Sequence, residues 1–147
     1  MWFGIISGQV KIVEIGFRFI ESDDFLGPCA FSKDNFLDTL DIPDSIQLAV
    51  MINCSDLNNE LGWKKTMKLL FPKTVNESPV SIIRFACHFK DLELGFKAGK
   101  WAKKSGYKVG YQFDPYRIIL DVPTRTTVKD MLAITKGFQS EIGSLLR

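Results

Sequence analysis

The sequence is poor in the residues that most often build metal centres and nucleic-acid interfaces. It contains one histidine, and its formal net charge is only +2 over 147 residues. One imidazole does not make a metal site, because Zn²⁺ and similar ions need several ligands in a fixed geometry. A net charge this small does not favour nucleic acid, since proteins that bind it usually carry a strongly basic patch. We therefore expect neither a histidine-based metal centre nor a nucleic-acid partner.

Cysteines and long apolar runs are also scarce. Cys29, Cys54 and Cys87 are odd in number, widely spaced and set in apolar or strand-like surroundings, unlike the cysteines of a disulfide framework. The opening apolar run Trp2–Ile6 is short and follows no basic segment, so it is neither a signal peptide nor a membrane span. These absences predict a soluble, cytoplasmic protein with reduced thiols and no membrane partner.

The clearest positive signal is a set of four short apolar runs. They are rich in Val, Ile and aromatic residues and are bounded by Gly, Pro, Asp or Asn, as buried strands usually are. Their hydrophobicity is nearly continuous rather than alternating, which favours a parallel sheet. The predicted strands are Lys11–Phe19, Gln47–Asn53, Val80–Cys87 and Tyr107–Phe113.

Helical patterns separate these runs. In the clearest one, Asp91 is placed to cap the first turn and Gly106 to end the helix. A shorter helix is predicted around Leu61–Leu70, a weaker one opens near Ser32, and a long final helix begins at Thr127. The order is therefore β–α–β–α–β–α–β–α.

Two architectures satisfy this order of elements. Each connection is long enough for a parallel βαβ crossover, which is right-handed in almost all proteins. The chain is then a single α/β domain over residues 1–147, either an open doubly wound sheet or a partial (β/α)8 TIM barrel with about four parallel βα units. Periodicity alone does not choose between them.

The strand residues resemble those of one known family. The segments Val13–Arg18, Phe25–Pro28 and Ala49–Asn53 are similar to the second and third strands of aldolases related to hydroxymethylglutaryl-CoA lyase. Further along, Ser78–His88 and Ser105–Gln112 resemble that family's fourth and fifth strands. The resemblance favours the TIM-barrel alternative.

The resemblance covers residues 10–113 and leaves 114–147 as an unassigned C-terminal helical segment. It implies cleavage or formation of a carbon–carbon bond, a small-molecule oxo acid as ligand, and a divalent metal, Mg²⁺ or Mn²⁺. The family's Asp-Arg-containing motif and its His-x-His pair are absent from this sequence. We therefore expect an aldolase-type lyase domain that is incomplete and inactive alone. The alternative is a non-catalytic ligand-binding or half-barrel assembly module.

Polar side chains at the strand ends form the candidate site, because a barrel places its chemistry there. Arg18 is a candidate to hold a substrate carboxylate through paired hydrogen bonds, and His88 is a candidate general base. The alternatives are an ion pair of Arg18 with Asp23 or Asp24, and a loop role for His88. The predicted catalytic residues are His88 and Arg18, and the predicted substrate-binding residues are Arg18, Asn53, Glu14, Arg84 and Gln112.

Two further alternatives concern charge and assembly. Glu14 and Arg84 lie inside apolar strands, where an unpaired charge is costly, so they either pair with each other or line a pocket. Cys87 is either a nucleophile or a buried structural thiol. Four barrel units leave the first and fourth strands with one unpaired side each, which predicts a homo-oligomer. The rival outcome is that the final helix seals one edge.

Overall fold

The computed structural model describes residues 10–113, the backbone of residues 117–120, and Lys129, Asp130 and Ala133, which are helical. The predicted helix from Thr127 therefore lies almost entirely outside the described residues. The strands are β1 (Ile12–Phe17), β2 (Gln47–Asn53), β3 (Val80–Cys87), β4 (Lys108–Phe113) and β5 (Arg117–Leu120). The helices are α1 (Asp34–Leu37), α2 (Trp63–Leu70) and α3 (Leu92–Lys104).

One sheet contains all five strands in the order β1-β2-β3-β4-β5. The first four run parallel to one another, so chain order and spatial order coincide. This confirms the predicted α/β class with four parallel strands. Within the described part of the chain, no helix is both long and apolar enough to cross a membrane.

The fifth strand was not predicted. It pairs antiparallel with β4, from Gly110 opposite Leu120 to Phe113 opposite Arg117. Four residues are few for a strand, and only the three residues 118–120 of this one are apolar. Because β5 occupies the free side of β4, the prediction that the fourth strand keeps an unpaired side is wrong.

The hydrophobic core lies between the sheet and the helices α2 and α3. Alternate residues of β2 point into it, as do residues of β3 and β4, because successive side chains of a strand face opposite sides. The helices contribute the apolar residues of one stripe each, as their sequence period predicts. The fully buried members from the strands and helices include Val50, Ile52, Val80, Ile83, Phe85, Met67, Ala98 and Ala102.

Helix α3 packs very close to the sheet at its glycines. A methyl group added at Gly95 would meet the sulfurs of Cys54 and Cys87 at 2.6 Å. At Gly99 it would collide with the hydroxyl of Tyr111. The first turns of α3 therefore lie directly against the carboxyl ends of β2 and β3, where the candidate site is found.

Candidate functional site

The candidate site begins with one row of residues across three parallel strands. Asn53 of β2 is the register partner of Ala86 of β3, and Ala86 is the partner of Gln112 of β4. Neighbouring strands are spaced by about 4.8 Å, so the two amide-bearing residues lie about 10 Å apart across a small alanine. Each of the three residues is the last or next-to-last residue of its strand, so the row lies at the carboxyl edge of the sheet.

A cavity of about 240 Å³ opens above this row. It brings together three of the predicted site residues, Asn53, His88 and Gln112. The complete lining is Met51, Asn53, Ser55, Ala86, Cys87, His88 and Gln112. We call it the polar cavity. Ligands of open α/β sheets bind outside the carboxyl ends of the strands, and the polar cavity has that position.

The polar cavity offers neutral hydrogen-bonding groups. Asn53 and Gln112 each carry an amide that donates and accepts, Ser55 carries a hydroxyl, and His88 carries an imidazole. None of the seven lining residues is Lys, Arg, Asp or Glu. Such a set suits carbonyl or carboxylate oxygens, which accept hydrogen bonds from amide and hydroxyl groups.

A second cavity of about 440 Å³ adjoins the first, and Asn53 lines both. We call it the apolar cavity, because Phe19, Ile20 and Leu26 form much of its wall. Its complete lining is Phe19, Ile20, Leu26, Asn53, Asp56 and Asn59. Neither this cavity nor the roles of Ser55 and Asp56 were predicted from the sequence. The usable signal was the polar run that directly follows β2.

Asp56 is the charged group of the apolar cavity. Burial raises the pKa of its carboxyl, and the hydrogen bond with the Asn53 side chain acts in the opposite direction. The loop that carries Asp56 is held in place by Asn59. The Asn59 amide donates to the backbone oxygen of Asp56 at 2.7 Å and to the Thr66 hydroxyl of α2 at 2.9 Å. The carboxylate therefore sits on a loop anchored to a helix.

A disulfide bond joins Cys54 and Cys87 beneath the polar cavity. Cys54 follows the last residue of β2, Cys87 ends β3, and both are buried in the core. The prediction of three reduced thiols is therefore wrong for this pair, while Cys29 is free. The two cysteines are 33 residues apart in sequence and become neighbours only because β2 and β3 pair. Because its sulfur is bonded to Cys54, Cys87 is buried and structural but is not a thiol, and it is not available as a nucleophile.

Arg18 lies in the interior and lines neither cavity. Its Nη2 donates to Asp34 Oδ1 at 2.7 Å, and its Nε donates to the Ser32 carbonyl at 2.7 Å. The guanidinium also stacks over the Phe71 ring, 4.6 Å from its centroid. Arg18 is therefore ion-paired, but with Asp34 and not with Asp23 or Asp24 as the alternative expected.

Glu14 and Arg84 pair with each other across β2. Arg84 Nε donates to Glu14 Oε2 at 2.6 Å, and Nη2 donates to Oε1 at 2.5 Å. Arg84 is the register partner of Met51, a residue of the polar cavity, but the pair itself does not line that cavity. Of the two alternatives for these residues, the structure contains the ion pair.

The divalent metal implied by the resemblance does not fit the residues around His88. Among the described residues, no three side chains of His, Cys, Asp or Glu come together. The neighbours of His88 in the polar cavity are amides, a hydroxyl and apolar groups, whereas Mg²⁺ and Mn²⁺ prefer carboxylate oxygens. The polar cavity therefore does not supply a set of ligands suited to Mg²⁺ or Mn²⁺.

Comparison of the chain with models of protein families, with curated proteins and with solved structures finds no match. The aldolase resemblance therefore stays a prediction that depends on the strand residues alone.

Proposed function

We propose that the chain is a binding module for a small organic acid, held in the polar cavity at the carboxyl edge of the parallel sheet. The observation that carries the proposal is the row Asn53–Ala86–Gln112, in which two amide side chains lie on either side of the small side chain of Ala86. Their N–H groups, with the Ser55 hydroxyl and the His88 imidazole at the rim, are suited to donate to carboxylate and carbonyl oxygens. The 2-oxo acids are the class that the family resemblance implies.

Titration of the ¹⁵N-labelled protein with pyruvate, followed by NMR, tests this function. We expect chemical-shift changes confined to the backbone around Asn53, His88 and Gln112. The variant Gln112→Glu keeps the size of the side chain but replaces a donor by a negative charge, so it should abolish the shifts. The matched control is Gln47→Glu, the same change at the opposite end of β2, which should bind pyruvate like the parent protein.

Two results would contradict the proposal. One is a set of shifts scattered over the surface. The other is equal binding of pyruvate to the Gln112→Glu and Gln47→Glu variants, since the amide of Gln112 would then have no part in binding.

An aldolase-type lyase on a partial TIM barrel is the second candidate. It is favoured by the coincidence of chain order and spatial order in β1 to β4, with a cavity at the carboxyl ends, as in barrel enzymes. In this proposal His88 touches the reacting oxygens and the isolated chain is inactive. We expect no pyruvate release from a 4-hydroxy-2-oxo acid above background, with or without Mg²⁺ or Mn²⁺. Pyruvate release would contradict the expected inactivity, and its loss in His88→Ala would assign the reaction to the polar cavity.

A further inference from the structure

The polar cavity is too small to be a complete ligand site. Small-molecule sites usually enclose about 300–1,000 Å³. The polar cavity has about 240 Å³, whereas the apolar cavity beyond Asn53 adds about 440 Å³. Because one side chain lines both spaces, a ligand whose polar end lies in the first can continue into the second. The ligand should therefore have one polar end and one apolar end.

The apolar cavity has one charged residue, Asp56, beside Phe19, Ile20 and Leu26. A half-buried carboxylate is costly unless a partner compensates for the lost water. Among the described residues, the ion pairs formed by Lys and Arg side chains involve other acids than Asp56. Asn53 lines the same cavity but carries no charge. The described residues therefore give this carboxylate no cationic partner, and a cationic group on a ligand would complement it.

The position of Asp56 restricts where that cation lies on the ligand. Asp56 lines the apolar cavity together with Asn53, the residue at which the two cavities meet, so the cation belongs at the junction of polar end and apolar end. The ring of Phe19 lines the same cavity, and aromatic faces attract ammonium groups. Phe19 also stacks on Phe17, with 4.8 Å between ring centroids, which extends the apolar wall.

We propose that the ligand is an α-amino acid with an apolar side chain. Its carboxylate binds to the amides of the polar cavity, its ammonium group pairs with Asp56, and its side chain packs on Phe19, Ile20 and Leu26. This inference rests on the proposed organic-acid function and narrows it. An α-amino acid carries its carboxylate and ammonium on one carbon, which matches the single junction at Asn53.

Four probes that differ by one group each test the inference. L-phenylalanine carries all three groups, 3-phenylpropionate lacks the ammonium, 2-phenylethylamine lacks the carboxylate, and L-serine lacks the apolar side chain. In NMR titrations we expect L-phenylalanine to bind at least about tenfold more tightly than each of the others, since a hydrogen bond between charged groups contributes about 1.5–3 kcal/mol.

The Asp56→Asn variant isolates the ammonium contact. The substitution should lower the affinity for L-phenylalanine by about tenfold and leave the affinity for 3-phenylpropionate unchanged, because only the first probe carries a cation that can pair with Asp56. Asp44→Asn is the matched control, an exposed acid before β2 at the other end of the sheet, and it should change neither affinity. Unchanged binding of 3-phenylpropionate also shows that the Asp56→Asn variant is folded.

Equal binding of L-phenylalanine and 3-phenylpropionate to the parent protein would overturn the inference. So would an unchanged affinity of the Asp56→Asn variant for L-phenylalanine. If pyruvate still shifts the signals around Gln112 while L-phenylalanine does not bind, the amino-acid inference fails and the organic-acid function stands. If neither binds, both fail.

Discussion

Arg18 is an enclosed charge that holds three segments of the chain together. It is 1% exposed, and its side chain donates to the Ser32 carbonyl, to the Leu70 carbonyl at the end of α2, and to Asp34 of α1. The chain after β1 folds back on that strand, since Phe17 N–H donates to the Cys29 carbonyl at 2.9 Å. Burying an ion pair is not by itself strongly stabilising, but removing one partner leaves the other charge uncompensated.

We predict that Arg18→Met lowers the free energy of unfolding by about 3–5 kcal/mol, because Asp34 is left buried without its cation. Urea unfolding followed by tryptophan fluorescence measures this. Arg84→Met is the control, since the pair with Glu14 is more exposed and should contribute about 1 kcal/mol or less. The double variant Arg18→Met/Asp34→Leu should recover most of the loss. Equal losses for Arg18→Met and Arg84→Met would contradict the prediction.

Asp56 makes stability depend on pH in the direction opposite to that of a paired carboxylate. Its pKa in the folded protein is raised above the ordinary 3.8, so the folded state binds more protons than the unfolded state in this window. Stability from this group is therefore lost as the pH rises from 3.8 through the folded pKa. A binding residue that destabilises the empty protein is consistent with a functional role.

We predict that Asp56→Asn is more stable than the parent protein at pH 7 and that the difference disappears near pH 3. Urea unfolding of the two chains is compared at each pH. The contribution of the other carboxyls to the pH dependence cancels in this comparison, because both chains contain them. Saturating L-phenylalanine should reduce the difference at pH 7, because it binds about tenfold more tightly to the chain with the charge and stabilises that chain more. The prediction would be contradicted if Asp56→Asn were less stable than the parent at pH 7. It would also be contradicted if the difference in free energy of unfolding were the same at pH 7 and near pH 3.

At the scale of elements, the central strands could be predicted to the residue. Gln47–Asn53 and Val80–Cys87 are strands with the predicted bounds, since continuous apolar runs end there at polar or turn-forming residues. The helix expected around Leu61–Leu70 begins at Trp63. The short strand Arg117–Leu120 was not predicted. Its pairing depends on β4, and four residues are too few to show a clear strand-like hydrophobic pattern.

The candidate site was predictable only where it depends on strand ends. Asn53, His88 and Gln112 come together because parallel strands bring their carboxyl ends to one edge. The enclosure of Arg18 was not predictable, since it depends on how the segment after β1 folds back. For the same reason the Cys54–Cys87 bond was missed: its two ends meet only through the pairing of β2 with β3.

The disulfide bond fastens the two strand ends that carry the polar cavity. It closes a loop of 33 residues, and the chain-entropy relation assigns such a loop about 3–4 kcal/mol of stabilisation. We predict that Cys54→Ala/Cys87→Ala lowers the free energy of unfolding by about that amount and broadens the NMR signals of Asn53 and His88. Cys29→Ser is the control and should change neither. Titration of the unfolded, unreduced protein with a thiol reagent should find one thiol; finding three would contradict the bond.

At the scale of the molecule, the two edges of the sheet differ. The edge at β4 is covered by β5, which has only four residues, and very short edge strands are poor templates for further pairing. The edge at β1 has six residues, of which the last, Phe17, hydrogen-bonds to Cys29 and Ser32, while β2 is the strand partner on the other side. Val10 and Ile12 are 42% and 44% exposed beside it. Among the described strands, one edge rather than two therefore remains for pairing with another copy.

Among the described residues, the part of the β1 edge before Phe17 is open, and it predicts a closed dimer rather than a fibre. Two copies that pair there around a twofold axis leave only the short β5 edge for a third copy. Light scattering coupled to size exclusion should give twice the chain mass of 16.7 kDa. Ile12→Lys should give the monomer, since a lysine on an edge strand opposes pairing. The matched control is Leu69→Lys on α2, where the parent side chain is 60% exposed and the dimer should persist. A parent mass of 16.7 kDa at every concentration, or dissociation by Leu69→Lys instead, would rule out β1 as the interface.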